Sequence, residues 1–296
     1  MKLSWREVAE VGTTWGIRFV LVWLRLFGRR GTQLLLRILV VYYTLTHRAA
    51  RRASQEYHQR LELPSDLMAT YRHLLRFAEC VLDRALFLSG RWQGLTLQHH
   101  GLEHLQALRA QRKGALLLGA HFGSFEALRA HAVLEGLTVN VVADFGNSAR
   151  ITTFLNELGP NTGMRFISAE QEATSLALTL REAVARGEIV ALLADRPNQG
   201  RRASASFLGA PAYFPTGAYA LASVLRCPIY LTFGIYTAPD RYDLYCEPFA
   251  ETVTLPREQR EALLTQFAQR YADRLAERCR SAPDNWFNFY DFWHSP

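Results

Sequence analysis

Cysteine is scarce in this sequence, and the few cysteines are not placed for a cross-link or a metal. Only four occur in 296 residues, far apart and without a CxxC pair: Cys80, Cys227, Cys246 and Cys279. That spacing argues against a disulfide framework and against a structural zinc site. A cluster of His99, His100 and His104 is better explained as the surface of a helix, because no further ligand completes a site. We therefore expect no metal and no other cofactor.

The sequence also lacks a long uncharged apolar run. Arginines interrupt both hydrophobic stretches near the N-terminus, residues 16–30 and 31–54. No segment of about 18 uncharged apolar residues occurs, so a simple transmembrane helix is disfavoured. A short basic stretch, a clean hydrophobic segment and a small-residue cleavage site do not follow one another either, and this disfavours a cleaved signal peptide.

Most of the chain has no net positive charge, because the excess of basic residues is concentrated at its start. Residues 1–60 contain eleven Lys and Arg against three acids, a net of +8, whereas residues 61–296 carry 23 basic and 24 acidic groups. Arginine mixed with tryptophan, tyrosine and aliphatic residues is typical of helices that lie in a membrane interface. We predict two such helices within residues 1–50. A pair of apolar helices buried in the protein or in a partner is the alternative.

This asymmetry also suggests a division of the chain. We predict a membrane-associating segment at residues 1–60 and a main domain at residues 61–296. Nucleic acid is disfavoured as a partner, because aliphatic residues dilute the arginines and no groove-reading motif occurs.

The main domain has no internal repeat or low-complexity linker, and strand patterns alternate with helix patterns along it. A content of 49% hydrophobic and 12% aromatic residues excludes a disordered protein. The alternation predicts an α/β fold with a mostly parallel central sheet and helices on both faces. Strands are predicted at residues 115–118, 138–145, 164–168, 188–195, 228–236 and 241–249, and helices at residues 65–90, from 126 onward, at 148–158, 172–186, 216–227 and 256–280.

One predicted strand ends in a histidine that a carboxylate soon follows. The apolar run of residues 115–118, flanked by two glycines, is typical of a strand buried on both faces, and His121 then stands in the turn before a helix. Gly123 permits a tight bend, so Glu126 in the first helical turn can fold back and accept a hydrogen bond from the imidazole. The other ring nitrogen is then free to take a proton from an alcohol or amine. A buried histidine bonded to a helix-capping acid is the alternative.

A second polar motif, Asp195-Arg196, follows the strand predicted at residues 188–195. Parallel sheets carry their sites at the carboxyl ends of the strands, so we expect this motif and His121 at the same edge. Asp195 is a candidate to bind an acceptor or to hold Arg196, and Arg196 to face a phosphate or a developing oxyanion. A structural Asp-Arg pair in a loop is the alternative.

The order of several motifs resembles that of a known family. GAHFGSFE, DFGNSAR, GMRFIS, GEIVALLADRPNQG and the terminal PDNWFNFYDFW follow one another as in the bacterial lipid A biosynthesis (late) acyltransferases, within the wider HxxxxD/E glycerolipid acyltransferase group. The resemblance covers roughly residues 10–293. ADRPNQG and FLGAP are more similar to the relatives found in aryl polyene gene clusters, which leaves the acceptor open.

The resemblance implies acyl transfer from acyl carrier protein or acyl-CoA to a hydroxyl of a lipid or glycolipid, on the cytoplasmic face of the bacterial inner membrane. His121 would be the general base and Glu126 the carboxylate that orients it. Arg150, Asp195 and Arg196 would contact substrate. Backbone N–H groups at the start of the helix, together with an arginine, would stabilise the oxyanion.

Two other classes of function stay open beside the acyltransferase. A hydrolase on the same sheet would need a nucleophile, and the nearest candidate, Ser124, does not stand in a GxSxG elbow. A non-catalytic membrane-associated assembly protein with the same fold is the second. We expect direct transfer without a covalent acyl-serine.

Overall fold

A computed structural model describes residues 14–143, 164–169, 172–196 and 200–294. Its helices are α1 (Thr14–Thr46), α2 (Arg48–Arg60), α3 (Leu67–Leu88), α4 (Leu102–Ala110), α5 (Phe125–Leu134), α6 (Ala173–Ala185), α7 (Gly217–Leu225) and α8 (Arg260–Ser281), with a 3₁₀ turn at Pro283–Asn285. Its strands are β1 (Thr96–His100), β2 (Ala115–Gly119), β3 (Val139–Ala143), β4 (Met164–Ser168), β5 (Ile189–Leu193), β6 (Arg202–Phe207), β7 (Ala210–Pro215), β8 (Ile229–Thr237) and β9 (Arg241–Ala250).

Seven of the strands form one sheet in the order β1-β9-β8-β2-β5-β3-β4. Every neighbouring pair in it is parallel except β8 and β9, which form an antiparallel hairpin. The predicted mostly parallel α/β sheet is therefore confirmed. The strands β6 and β7 form a separate antiparallel hairpin.

Helices cover both faces of the sheet, because successive side chains of the central strands point to opposite sides. In β2, Leu116 and Leu118 join a core with α6, α7 and α8. Ala115 and Leu117 join a second core with α4 and α5. All five β2 residues are buried, as the continuous apolar run predicts for a strand covered on both sides.

Most predicted elements lie within a few residues of their structural counterparts. The features that were not predicted include β1, α4, the β6–β7 hairpin and the 3₁₀ turn at Pro283–Asn285. The hairpin turns at Leu208 and Gly209, both with positive φ (48° and 79°), a conformation that two-residue hairpin loops require and that Asn-Gly signals more clearly than Leu-Gly. The helix predicted at residues 148–158 lies outside the described residues.

The N-terminal helices are attached to the main domain by packing and by polar contacts, among them an ion pair at the kink of α1. The helix α1 kinks at Gly28, where φ is 65°. Beyond the kink, every fourth residue is buried: Thr32, Leu36, Val40 and Thr44. Next to the kink, Arg29 bonds both carboxylate oxygens of Asp83 on α3, at 2.6 and 2.8 Å. From α2, Tyr57 reaches the main core. The division of the chain at residue 60 stays a prediction.

The length and apolarity of the helices bear on membrane crossing. Within the described ranges, none is long and apolar enough to pass through a bilayer.

Candidate active site

Two neighbouring strands deliver a histidine and an aspartate to the same point of the sheet edge. The strands β2 and β5 pair in parallel with Gly119 opposite Leu193. His121 and Asp195 each stand two residues beyond that pair, so the register alone places them side by side. The imidazole Nδ1 lies 2.8 Å from Asp195 Oδ1. The expectation that these two motifs share one edge is confirmed.

The Asp195 carboxylate is fully buried and surrounded by donors. Its Oδ1 accepts from the imidazole of His121. Its Oδ2 accepts from the His121 backbone N–H, from Trp286 Nε1 and from Asn288 Nδ2, each at 3.1 Å. Burial by itself would raise the pKa of Asp195, but the charge and hydrogen bonds of His121 and the charge of Arg196 hold that pKa well below its ordinary value. Asp195 is therefore ionised at neutral pH.

That ionised partner fixes the tautomer of His121. A carboxylate can only accept, so Nδ1 carries the proton and Nε2 is the basic nitrogen. The side chain of His121 is 31% exposed, and its Nε2 bonds nothing among the described residues. Burial and then the charge of Arg196 lower the pKa of His121 below 6.5, although Asp195 opposes them. The imidazole is therefore neutral near pH 7 and able to accept a proton from a substrate.

Glu126 does not make the hydrogen bond to His121 that its spacing predicted. Its Oε1 lies 2.6 Å from Nε of Arg84 on α3, while Asp195 takes the Nδ1 proton of the imidazole. The sequence prediction failed here because Glu126 is near His121 along the chain, whereas Asp195 is brought near by strand pairing. The Glu126 carboxylate faces α3 instead.

The turn between β2 and α5 is tightly constrained. Gly123 has φ of 61°, and a Cβ on it would lie 1.9 Å from the Gly234 carbonyl oxygen, so no other residue fits there without a shift. The N–H groups of residues 121–124 all donate within the protein: His121 to Asp195 Oδ2, Phe122 to the Ala120 carbonyl, Gly123 to the Asn285 carbonyl and Ser124 to the Gly234 carbonyl. These four groups are not available to a substrate oxyanion, as they would be in a preformed oxyanion hole.

Ser124 has a structural role at the start of α5. Its side chain is 1% exposed, and its Oγ accepts from the Ala127 N–H at 3.1 Å. That bond is the usual contact of a residue that caps a helix N-terminus. The hydroxyl is thus buried and occupied.

The three predicted substrate contacts differ in their surroundings. Asp195 is fully buried and bonds His121, and its expected contact with an acceptor stays a prediction. Arg196 donates from Nε to Asn288 Oδ1 at 2.7 Å and from Nη2 to the Phe287 carbonyl at 2.8 Å, so much of its hydrogen-bonding capacity is used within the protein. Arg150 lies outside the described residues, and both it and Arg196 stay predictions as substrate contacts.

The C-terminal segment supplies site residues that the sequence did not reveal. Trp286 and Asn288 bind Asp195, and the Phe287 N–H donates to the His121 carbonyl at 2.7 Å. A buried histidine supports the segment from α3: His73 Nε2 lies 2.8 Å from the Trp286 carbonyl, and burial lowers the pKa of His73 to about 4. The signal available in the sequence was the Asn and Trp side chains of PDNWFNFYDFW. Buried amide and indole groups need hydrogen-bond partners, so these side chains could have been predicted to bond a buried acceptor.

Possible metal ligands lie away from this edge. The three histidines that were expected on one helix surface are divided between two elements: His99 and His100 lie on β1 and His104 on α4. His100 stacks on Tyr245 with ring centroids 4.4 Å apart. Within the described ranges, one trio brings its ligand atoms within 4.8 Å of one another: Glu56, Asp291 and His294. The contacts of this surface trio are those of ordinary ion pairs, since Arg60 bonds Glu56 at 2.8 Å and His294 lies 2.7 Å from Asp291.

Comparison with known proteins agrees with the resemblance in the motifs. The family model described as bacterial lipid A biosynthesis acyltransferase matches residues 70–295. That range contains His121, Glu126, Asp195 and the C-terminal segment, and it begins within α3. No curated protein matches the chain.

Proposed function

This chain belongs to the bacterial lipid A biosynthesis acyltransferase family, and we propose that it moves a fatty acyl group from an acyl thioester to a hydroxyl of a lipid or glycolipid, with His121 as the general base. The observation that carries the proposal is the His121–Asp195 pair at the sheet edge. A neutral imidazole with an ionised partner on Nδ1 and an open Nε2 is the arrangement that general-base catalysis requires.

The proposed reaction is a direct transfer with two proton movements. Nε2 of His121 takes the proton of the acceptor hydroxyl while the oxygen attacks the thioester carbonyl carbon, and the carbonyl electron pair moves to its oxygen. The tetrahedral intermediate then collapses, the carbon–sulfur bond breaks, and the leaving thiolate takes the proton from the imidazolium. Asp195 stabilises that imidazolium between the two steps. No atom of the enzyme becomes acylated.

A covalent route through Ser124 has less support. Its Oγ is buried and accepts the Ala127 N–H, so attack would require α5 to lose its cap. Of the described contacts, none connects Ser124 Oγ with the imidazole, and a nucleophilic serine needs a base in reach.

Membrane association is part of the proposal, and it rests on exposed apolar side chains. Among the described residues of α1, ten large hydrophobic side chains are exposed: Phe19, Val22, Leu26, Phe27, Leu34, Ile38, Leu39, Val41, Tyr42 and Leu45. Four more on α3 are Leu67, Met68, Phe77 and Val81. Arg25, Arg30 and Arg37 are exposed on α1 beside them. Exposed apolar side chains interspersed with arginines suit a membrane surface with anionic lipid headgroups.

The helix α3 connects this surface with the candidate active site. It carries the exposed Phe77 and Val81, and one turn further along it carries Arg84, which contacts Glu126 next to the catalytic turn. An acceptor that stays in the membrane could thus reach His121. We propose the cytoplasmic face of the inner membrane as the location and acyl carrier protein or CoA as the source of the acyl group.

The test is a transfer assay on the purified full chain. Palmitoyl-CoA and palmitoyl acyl carrier protein serve as separate donors, a bacterial glycolipid extract serves as acceptor, and mass spectrometry detects the new ester. We expect His121→Ala to lower transfer by at least about two orders of magnitude, in line with the loss of a positioned base. His104→Ala, on α4, is the control and should keep its activity. Normal turnover by folded His121→Ala would refute the assignment of the base.

A further inference from the structure

Asn288 stands between two groups of opposite charge at the candidate active site. Its Nδ2 donates to Asp195 Oδ2 at 3.1 Å, and its Oδ1 accepts from Arg196 Nε at 2.7 Å. The orientation of the amide follows from chemistry, because a carboxylate only accepts and a guanidinium only donates. Asn288 is 2% exposed, so both contacts are shielded from solvent.

The backbone around Asn288 fixes the position of this amide. The Phe287 N–H donates to the His121 carbonyl at 2.7 Å, and the Asn288 N–H donates to the Trp286 carbonyl at 3.1 Å. The same Trp286 carbonyl lies 2.8 Å from His73 Nε2 on α3. The place of the amide beside the turn between β2 and α5 is therefore set by the backbone, and not by its side-chain partners alone.

Arg196 and Asp195 are consecutive in the chain and carry opposite charges, yet within the described ranges no ion pair joins them. Arg196 Nε and Nη2 donate instead to two neutral oxygens, Asn288 Oδ1 and the Phe287 carbonyl. A partly buried guanidinium that loses a neutral acceptor is expected to turn to the nearest anion, because an unpaired charge is costly there. A direct pair would place a full positive charge on the carboxylate that has to stabilise the imidazolium.

We propose that Asn288 is a neutral spacer that keeps Arg196 from pairing with Asp195 and so reserves the carboxylate for His121. This inference deepens the general-base role proposed above for His121 and rests on it. In this role Asn288 acts through Asp195, whose Oδ1 lies 2.8 Å from the imidazole Nδ1. Asn288 is therefore a positioning residue and not a catalytic one.

Three charged groups act on the His121 imidazole. Burial lowers the pKa of His121 most, Arg196 lowers it further, Asp195 raises it, and Arg84 lowers it by the smallest of these effects. A change at the carboxylate therefore moves the pKa of His121 in a direction that depends on its sign. Loss of a neutral donor to Asp195 should raise this pKa, and a direct pair between Arg196 and Asp195 should lower it.

The first experiment compares the loss of two donors to Asp195. Trp286→Phe removes only an N–H, and we expect the acid limb of kcat/KM to move to higher pH by about half a unit. Asn288→Ala removes a donor but also lets Arg196 pair with Asp195. Its acid limb should move to lower pH by about half a unit, and kcat should fall by at least about threefold, because the imidazolium is less stabilised. Loss of packing alone would not give opposite movements.

The second experiment repeats Asn288→Ala without the cation. In Arg196→Gln there is no guanidinium for the spacer to hold off, so Asn288→Ala then removes only a donor to Asp195. The acid limb should move to higher pH relative to Arg196→Gln alone, which reverses the sign seen in the wild-type background. Movement in the same direction in both backgrounds, or no movement in the wild-type background, would overturn the spacer role.

Asn140→Ala is the matched control for the loss of a buried amide. Asn140 is 1% exposed, and its Nδ2 donates to Glu188 Oε2 at 2.9 Å and to the Ile189 carbonyl at 3.2 Å. It is the second residue of β3, so it lies at the amino edge of the sheet, away from His121. Its kcat and its acid limb should be normal.

A measurement that does not need catalysis separates this inference from the function on which it rests. NMR titration of the full chain with isotope-labelled histidine reports the pKa of His121, and His121→Ala identifies the resonance. If the wild type transfers from neither donor but the two variants shift this pKa in opposite directions, acyl transfer fails and the effect of Asn288 on His121 stands. If the wild type is active and both shifts have the same sign, the spacer role fails and the function stands.

Discussion

The carboxyl edge of the sheet and the outer surface of α1 satisfy their side chains in opposite ways. At the edge, Asp195 is fully buried, yet its two oxygens receive four hydrogen bonds from the chain itself. On α1, Leu26 and Ile38 are 72% and 70% exposed, so the part of the chain that the structure describes leaves them largely uncovered. Buried polar groups need internal partners, whereas exposed apolar surfaces of this size need an external one.

This difference separates the region proposed for catalysis from the region proposed for membrane binding. The sheet edge holds a base whose orientation does not depend on any partner, so we expect its variants to change rate without changing membrane affinity. The α1 surface holds no catalytic group, so its variants should change membrane affinity without changing the intrinsic rate. Variants at the sheet edge, on the α1 surface and at the contact between the two regions therefore test that separation.

The largest effect is expected at the edge. Asp195→Asn removes the charge that fixes the His121 tautomer and stabilises the imidazolium, and it should lower kcat by about three orders of magnitude. The amide is of similar size, so circular dichroism should show an unchanged fold. Glu126→Gln, whose carboxylate contacts Arg84 instead, should have a smaller effect. Normal kcat in Asp195→Asn would mean that the carboxylate has only a structural role.

The sequence located His121 and Asp195 but paired His121 with the wrong acid. Each residue could be placed at a strand end from local patterns alone. Their contact depends on β2 and β5 being neighbours, and strand order is a non-local property that periodicity does not report. Glu126 was chosen because it is close along the chain. Trp286 and Asn288 were missed for the same reason, since they join Asp195 from about 90 positions away.

The fold was predictable where buried strands carry long apolar patterns, as in β2 and β5. It was not predictable where elements are short and half-exposed. In β1 every residue is exposed or partly exposed, so no buried run marks the strand. The β6–β7 hairpin has Leu208 in a positive-φ turn position, which only the strand pairing on either side enforces.

The contact between the two regions should be costly to break. Arg29→Gln leaves the fully buried Asp83 without its cation, and the loss of one member of a buried pair costs about 3–5 kcal/mol. Chemical denaturation should show this decrease in the free energy of unfolding. The neighbouring Arg30, which is exposed, provides the control Arg30→Gln. Equal stability of the two variants would show that α1 is not clamped at the kink.

Activity should be lost on the acid side of neutrality. The pKa of His121 is lowered below 6.5 by burial and by Arg196, and only the neutral imidazole accepts a proton. The rate is therefore complete above that pKa and falls about tenfold for each pH unit below it. Asp195 stays ionised through this range because its own pKa is held far lower. An acid limb with its midpoint above 6.5 in kcat/KM would contradict this account of His121.

On the α1 surface, two substitutions should weaken membrane binding without affecting catalysis. Leu26→Ser together with Ile38→Ser removes two exposed apolar side chains. The variant loses roughly 1–2 kcal/mol of free energy from apolar burial in the membrane. We therefore expect its affinity for anionic liposomes to fall by at least about tenfold. Added salt should weaken binding by the wild type only in part, because apolar contacts are not screened. Leu178→Ser with Val224→Ser is the control, because these two side chains are also well exposed, each at 56%, but lie on α6 and α7. Cosedimentation measures both pairs, and equal retention would refute the assignment of the surface.

The smallest effect is expected at Ser124, although it stands three residues from His121, the proposed general base. Because its Oγ caps α5 through the Ala127 N–H, Ser124→Ala should cost about 1 kcal/mol of stability and keep most of its activity. Intact-protein mass spectrometry after incubation with palmitoyl-CoA and no acceptor gives the decisive reading. Direct transfer predicts no adduct in the wild type or in the variant. A stoichiometric palmitoyl adduct that disappears in Ser124→Ala would replace the general-base route by a covalent one, and the sheet edge would then hold a nucleophile as well as a base.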